Sequence, residues 1–107
     1  MTLDSELGQE DNFHPPSDYE KEILTILIEE CAEVQQRATK SIRFGIFEKQ
    51  PSQELNNSER LGLEVGDLLH MITLCTDLKM ISEEHIQEGI ETKQKKLQRY
   101  LVNKLGS

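Results

Sequence analysis

The stretch LIEECAEV, residues 27–34, decides the fold prediction because it places two glutamates inside a helical apolar pattern. Apolar residues recur with helical spacing through this stretch and beyond both of its ends, namely Ile23, Leu27, Cys31, Val34 and Ala38. Glu30 and Glu33 interrupt this apolar face. An ionised carboxylate taken out of water costs several kcal/mol unless something pairs with it. The pattern therefore predicts a helix whose buried face carries a charged site.

Three helices are predicted from this periodicity and from their capping residues. The first runs from about Asp18 to about Ser41, with Ser17 as N-cap and Glu20 at the reciprocal capping position. The second runs from about Ser58 to Leu78 and is apolar on more than one face. Ser82 caps the third, whose inner stripe comprises Ile86, Ile90, Lys93, Leu97 and Tyr100 or Leu101. No strand-like alternation is present, so we expect an all-α bundle of three main helices.

The segments outside these helices are polar or interrupted by glycine and proline. Residues 1–16 are polar, end in HPP and are predicted to form a loose N-terminal arm. Residues 42–57 form a long loop with room for one short helix, and connections of that length are often functional. The chain is thus predicted to be a flexible arm, 1–16, followed by one helical domain, 17–105.

Composition excludes several classes of protein. A chain of 107 residues with a net charge of −8 lacks the basic face that binding of a nucleic-acid polymer needs. No apolar run approaches the roughly 20 residues that span a membrane, and the acidic N-terminus does not resemble a signal peptide. Cys31 and Cys75 lie on predicted apolar helix faces, as buried thiols of a reducing compartment do. We therefore expect a cytoplasmic protein.

The second predicted helix repeats the pattern of the first. In GLEVGDLLH, residues 62–70, Glu64 and Asp67 lie three residues apart and inside apolar arcs. If the first two helices pack side by side and antiparallel, these acids converge with Glu30 and Glu33. Four clustered carboxylates repel one another, and a hard divalent cation with oxygen ligands would relieve the repulsion. A set of carboxylates alone points to Mg²⁺, with Mn²⁺ as a substitute, rather than to zinc.

These two acidic motifs carry a resemblance to a known family. Glu30-Cys-Ala-Glu33 followed by Glu64-Val-Gly-Asp67 resembles the ExxE…ExxD signature of the all-α nucleoside triphosphate pyrophosphohydrolases, in particular the MazG-like group, over about residues 18–101. The resemblance implies hydrolysis of an NTP or dNTP between the α and β phosphates, giving the monophosphate and pyrophosphate. It also implies Mg²⁺ bound by the four acids, and a dimer or a tetramer built from dimers.

Further site residues are predicted from the chemistry of a triphosphate. Glu33, at the edge of the apolar stripe, is the candidate general base as well as a ligand. Cationic side chains are needed to hold the phosphates, and Lys40 and Arg43 lie in the right region. Phe44, like Phe47, either stacks on a base or closes the core beneath the loop. On the third helix, Lys93, Lys96 and Arg99 resemble the basic positions that the family places in its last helix.

Three alternatives accompany this prediction. Phosphoribosyl-ATP pyrophosphohydrolase of histidine synthesis has a similar size and acidic motif. The spacing of Asp67 and His70 fits di-iron bundles, although the first helix offers no matching histidine. A non-enzymatic acidic helical interaction module would share the composition, but it should not place its acids in apolar arcs. Because the second helix is apolar on more faces than the other two can cover, we also expect an obligate oligomer.

Overall fold

The structure, a computed structural model, describes residues 13–103 of the chain. That range contains three helices and no strand: α1 (Asp18–Phe44), α2 (Asn57–Asp77) and α3 (Glu83–Tyr100). The predicted all-α class and the three main helices are confirmed. Of the predicted arm, residues 1–12 lie outside the described residues, as do residues 104 and 105 at the end of the predicted domain.

Helix α1 begins as predicted and ends later. The Ser17 hydroxyl accepts a hydrogen bond from the Glu20 N–H at 3.1 Å, and the Glu20 carboxylate accepts one from the Ser17 N–H at 2.8 Å. This capping box satisfies two of the N–H groups that a helix start leaves unpaired. The helix ends at Gly45, whose φ of 110° favours glycine and whose N–H donates to the Ser41 carbonyl. Nothing in the sequence stops the helix at Ser41, so it continues for three more residues.

Helix α2 begins with a second capping box. Asn56 accepts from the Glu59 N–H at 2.8 Å, and Glu59 accepts from the Asn56 N–H at 2.9 Å. The loop before it, residues 45–56, contains turns but no helical turn. Asn57 connects this loop to α2 and to the end of α1. Its backbone N–H donates to the Glu48 carbonyl, and its side-chain amide donates to the Gly45 carbonyl at 2.8 Å.

Helices α1 and α2 pack against each other in antiparallel orientation. Ile23, in the first third of α1, forms the buried apolar cluster with Met71 and Cys75, in the last third of α2. At the other end of the pair, Asn57 of α2 contacts Gly45 after α1. Partly buried apolar side chains surround the cluster, namely Ile26, Leu27, Leu74, Leu78 and Met80. The core of the described chain therefore lies at one end of the α1–α2 interface.

Helix α3 follows a short turn and contributes no buried residue. Ser82 caps it as predicted, accepting from the His85 N–H at 3.1 Å. The helix makes few contacts with α1 or α2, so Ile90 and Leu97 of its predicted inner stripe are exposed. No helix among the described residues has the length and apolar character that crossing a membrane requires.

The two cysteines differ in burial. Cys75 is only 1% exposed, as predicted, whereas Cys31 is exposed. The prediction of burial is wrong for Cys31 because the face of α1 that meets α2 runs through Ile23, Glu30 and Arg37 rather than through Cys31. The buried face of α1 therefore includes charged side chains, namely those of Glu30 and Arg37.

Candidate functional site

Three carboxylates from two helices meet midway along the α1–α2 interface. Glu30 of α1 and Glu64 and Asp67 of α2 each offer one carboxylate oxygen, and these oxygens all lie within 4.8 Å of one another. Glu64 and Asp67 share a face of α2 because they are three residues apart. The antiparallel packing then places Glu30 opposite them. Glu30 and Glu64 are half-buried, whereas Asp67 is exposed, so the group is open to solvent on one side.

The electrostatic environment of Glu30 is unfavourable for its charge. Partial burial raises the pKa of Glu30, and the negative charges of Asp67, Glu64, Glu33 and Glu29 raise it further, in that order of importance. Every charged neighbour in this set is an acid. A cation bound among these side chains would remove both the repulsion and part of the desolvation cost.

The donor set fits the cation that the sequence analysis expects. Mg²⁺ binds oxygen ligands at about 2.0–2.1 Å, so two ligands on opposite sides of the ion are about 4.2 Å apart. Only one pair among three ligands can lie on opposite sides, and neighbouring ligands are about 2.9 Å apart. Oxygens within 4.8 Å of one another would therefore move together by up to about 2 Å to bind one ion. The group contains carboxylates and neither cysteine nor histidine, and such hard donors suit Mg²⁺ or Mn²⁺. Glu30, Glu64 and Asp67 would hold the ion.

Glu33 lies beside this group and not in it. Its side chain is exposed, and it contributes no oxygen to the three that converge. It is still close enough to raise the pKa of Glu30. Its predicted roles as a fourth ligand and as the general base therefore stay predictions.

A buried arginine, which the sequence analysis did not identify, lies on the same face of α1. Arg37 is 6% exposed, and among the described residues its Nη1 atom has no hydrogen-bond partner. Ser41, one turn further along, is also buried and donates its hydroxyl to the Arg37 carbonyl at 3.1 Å. The available signal was spacing, because Arg37 follows Glu30 by seven residues, or two helical turns.

Comparisons of the chain with protein-family models, with curated proteins and with solved structures found no match. The interpretation of the site therefore rests on its geometry and on the chemistry of its donors.

The predicted phosphate-binding residues of α1 lie together on the outer side of that helix. Lys40, Arg43 and Phe44 line one shallow groove. Lys40 is half-buried, and the guanidinium carbon of Arg43 lies 5.3 Å from the centroid of the Phe44 ring, a cation–π distance. Phe44 and Phe47 are both exposed, so neither closes the core.

The predicted basic residues of α3 are separate from the carboxylates. Lys93 and Lys96 line a groove on α3, and the guanidinium carbon of Arg99 lies 5.5 Å from the centroid of the Tyr100 ring. Because α3 makes few contacts with α1 and α2, the described chain does not bring these side chains to the carboxylate group. Their role at the site stays a prediction.

Proposed function

We propose that the chain is a Mg²⁺-dependent nucleoside triphosphate pyrophosphohydrolase. It would cleave an NTP or dNTP between the α and β phosphates, releasing the monophosphate and pyrophosphate. The observation that carries this proposal is the group of three carboxylate oxygens, from two packed helices, within 4.8 Å of one another. The alternative of a non-enzymatic acidic module is disfavoured because two of these three acids are half-buried against another helix and not displayed on a free surface.

The chemistry follows from the side chains present. A bound divalent cation supplies charge neutralisation for a triphosphate and lowers the pKa of an attacking water molecule. Glu30, Glu64 and Asp67 hold the cation in this proposal. Glu33 is exposed beside them and is available to accept the proton of the water. In this proposal Lys40 and Arg43, which line the groove on the outer side of α1 and do not contact the carboxylates in the described chain, supply positive charge to the far end of the triphosphate.

The proposal includes a homodimer, or a tetramer built from dimers. Only three apolar residues of the described chain are buried, which is a small core for three helices. Apolar side chains are exposed along α1, where Leu24, Ile28 and Ile42 recur at helical intervals and share one face. A pocket lined by Ile42 and Leu61 places part of α2 on that same side of the pair. Association of two copies through this face would enlarge the core.

The test is a hydrolysis screen with purified protein. A panel of NTPs, dNTPs and phosphoribosyl-ATP is incubated with Mg²⁺, and pyrophosphate and monophosphate are measured separately. We expect equimolar pyrophosphate and monophosphate from at least one substrate, and none from Glu64→Gln. The matched control is Glu22→Gln, which removes the same charge from an exposed position of α1 away from the site. Equal turnover by native protein and Glu64→Gln, or no pyrophosphate from any nucleotide, would reject the proposal.

A further inference from the structure

Arg37 is a buried cation, and one of its guanidinium nitrogens has no acceptor within the described chain. Its side chain is 6% exposed, and its Nη1 atom has no acceptor among residues 13–103. The contact of 3.8 Å between His14 Nε2 and a carboxylate oxygen of Glu20 does not involve Arg37. A buried charged donor without an acceptor is unfavourable, and an anionic group bound beside it would supply the acceptor that the described chain does not.

The position of Arg37 indicates where that partner binds. Arg37 lies about 10 Å beyond Glu30 along the same face of α1, at 1.5 Å per residue. Long side chains on a helix lean toward its N-terminus, so we expect the guanidinium to extend back toward the turn that carries Glu33.

Helix α2 supports the same placement. Asn57 contacts Gly45 and Asp67 meets Glu30, so Glu64, which lies between Asn57 and Asp67, is opposite the segment between Glu30 and Arg37. This register places residue 37 beside the end of the carboxylate group that is nearer to Asn57.

We propose that Arg37 is the anion-binding part of this site and that it takes a phosphate oxygen of a diphosphate group entering together with a divalent cation. This inference rests on the proposed function. The carboxylates attract the cation, and the guanidinium presents two parallel N–H donors that match the geometry of a phosphate. A diphosphate chelating the cation would reach both, because it carries oxygens on two phosphorus atoms. Its binding would also give Nη1 the acceptor that it lacks.

This arrangement makes the cation and the anion depend on each other. The charge of Arg37 repels a bare cation at the carboxylates, and it attracts the same cation when a diphosphate surrounds it with negative charge. Removing Arg37 should therefore strengthen binding of the cation alone and weaken binding of the cation–diphosphate complex. A purely structural arginine would change both affinities in the same direction or change neither.

The test compares Arg37→Met with native protein in two titrations. Free Mn²⁺ is followed by electron paramagnetic resonance without any anion, and inorganic pyrophosphate is titrated by calorimetry at a fixed Mn²⁺ concentration. We expect Arg37→Met to bind Mn²⁺ alone several-fold more tightly and pyrophosphate at least tenfold more weakly. Lys21→Met, which removes an equal charge from an exposed position of α1, should match native protein in both titrations.

A second variant keeps the inference testable if Arg37→Met does not fold. Arg37→Lys retains the charge and loses the paired donors, so it should bind Mn²⁺ like native protein and pyrophosphate more weakly. The inference is overturned if a folded Arg37→Met or Arg37→Lys binds pyrophosphate as tightly as native protein does. It is also overturned if a variant loses affinity for Mn²⁺ and for pyrophosphate in parallel. If native protein binds Mn²⁺ and hydrolyses nucleotides in those cases, the proposed function stands without it. Native protein that binds no Mn²⁺ would reject both.

Discussion

Replacing Glu64 with glutamine tests whether the three carboxylates form one cation site. The oxygens come from two helices, so an unfolded chain does not keep them together and the cation binds the folded state. A ligand at one hundred times its Kd then stabilises the fold by about 2.7 kcal/mol. For a domain of this size each kcal/mol raises Tm by about 4–8 °C, so saturating Mg²⁺ should raise the native Tm by about 10–20 °C.

The variant should lose most of this response. If loss of one ligand charge weakens Mg²⁺ binding tenfold, the same Mg²⁺ concentration stabilises Glu64→Gln by only about 1.4 kcal/mol, and by about 0.4 kcal/mol if binding is weakened one hundredfold. In the absence of metal the change has the opposite sign. The amide removes one of the mutually repelling carboxylates, so the metal-free Tm should be unchanged or higher although hydrolysis is lost.

The assay is thermal unfolding followed by circular dichroism, first with EDTA and then with millimolar Mg²⁺ at matched ionic strength. Glu22→Gln, exposed on the same helix as Glu30, should respond to Mg²⁺ as native protein does. The matched ionic strength separates binding from general screening of the net charge of −8. Equal Mg²⁺ responses of native protein and Glu64→Gln would refute the metal site and remove the basis of the enzymatic proposal.

Three further predictions use other features of the structure. Because the folded-state pKa of Glu30 is raised, the metal-free fold holds this proton more tightly than the unfolded chain does. The metal-free Tm should therefore fall as pH rises from the usual glutamate pKa through the raised pKa of Glu30, and the fall should be smaller in Glu30→Gln. A metal-free Tm that rises over this range, or the same slope of Tm against pH in both proteins, contradicts this prediction. Asn56→Ala removes the α2 cap and should lower urea-measured stability by about 1 kcal/mol while leaving the Mg²⁺ response intact; an unchanged midpoint argues against the capping box. Ile28→Lys places a charge on the exposed face of α1, where Ile28 is 67% exposed, and sedimentation should show a monomer; an unaltered oligomer would put the interface elsewhere.

The helices were predictable because their signals are local. Capping boxes and a glycine with positive φ act through neighbouring backbone groups, so the start of α1 was predicted to the residue. The cap of α2 was missed because Asn56 and Asn57 look like loop residues, and Asn57 is in fact 1% exposed and bonded to Gly45. The convergence of Glu30, Glu64 and Asp67 followed from helical spacing and antiparallel packing together.

The centre of the buried face of α1 was not predictable in the same way. Apolar spacing assigned Cys31 to the buried face, whereas the structure buries Arg37 and leaves Cys31 exposed. Leu27, Val34 and Ala38 of the predicted stripe are half-buried, so the face was predicted correctly and Cys31 lies at its exposed edge. Arginines are rarely buried, so nothing in the sequence placed Arg37 on the face of α1 that packs against α2.

The contacts that stabilise the α1–α2 interface lie at its two ends, and this arrangement explains how the interface tolerates a group of repelling acids. Apolar contacts of Ile23 with Met71 and Cys75 hold one end, and the hydrogen bonds of Asn57 to the loop hold the other. The carboxylates lie between these two attachments. The helices are already held on both sides, so partial burial and the repulsion among the acids raise the pKa of Glu30 without separating the pair. Residues placed there can be selected for binding a cation, because the packing that stabilises the helix pair is supplied elsewhere along the same interface.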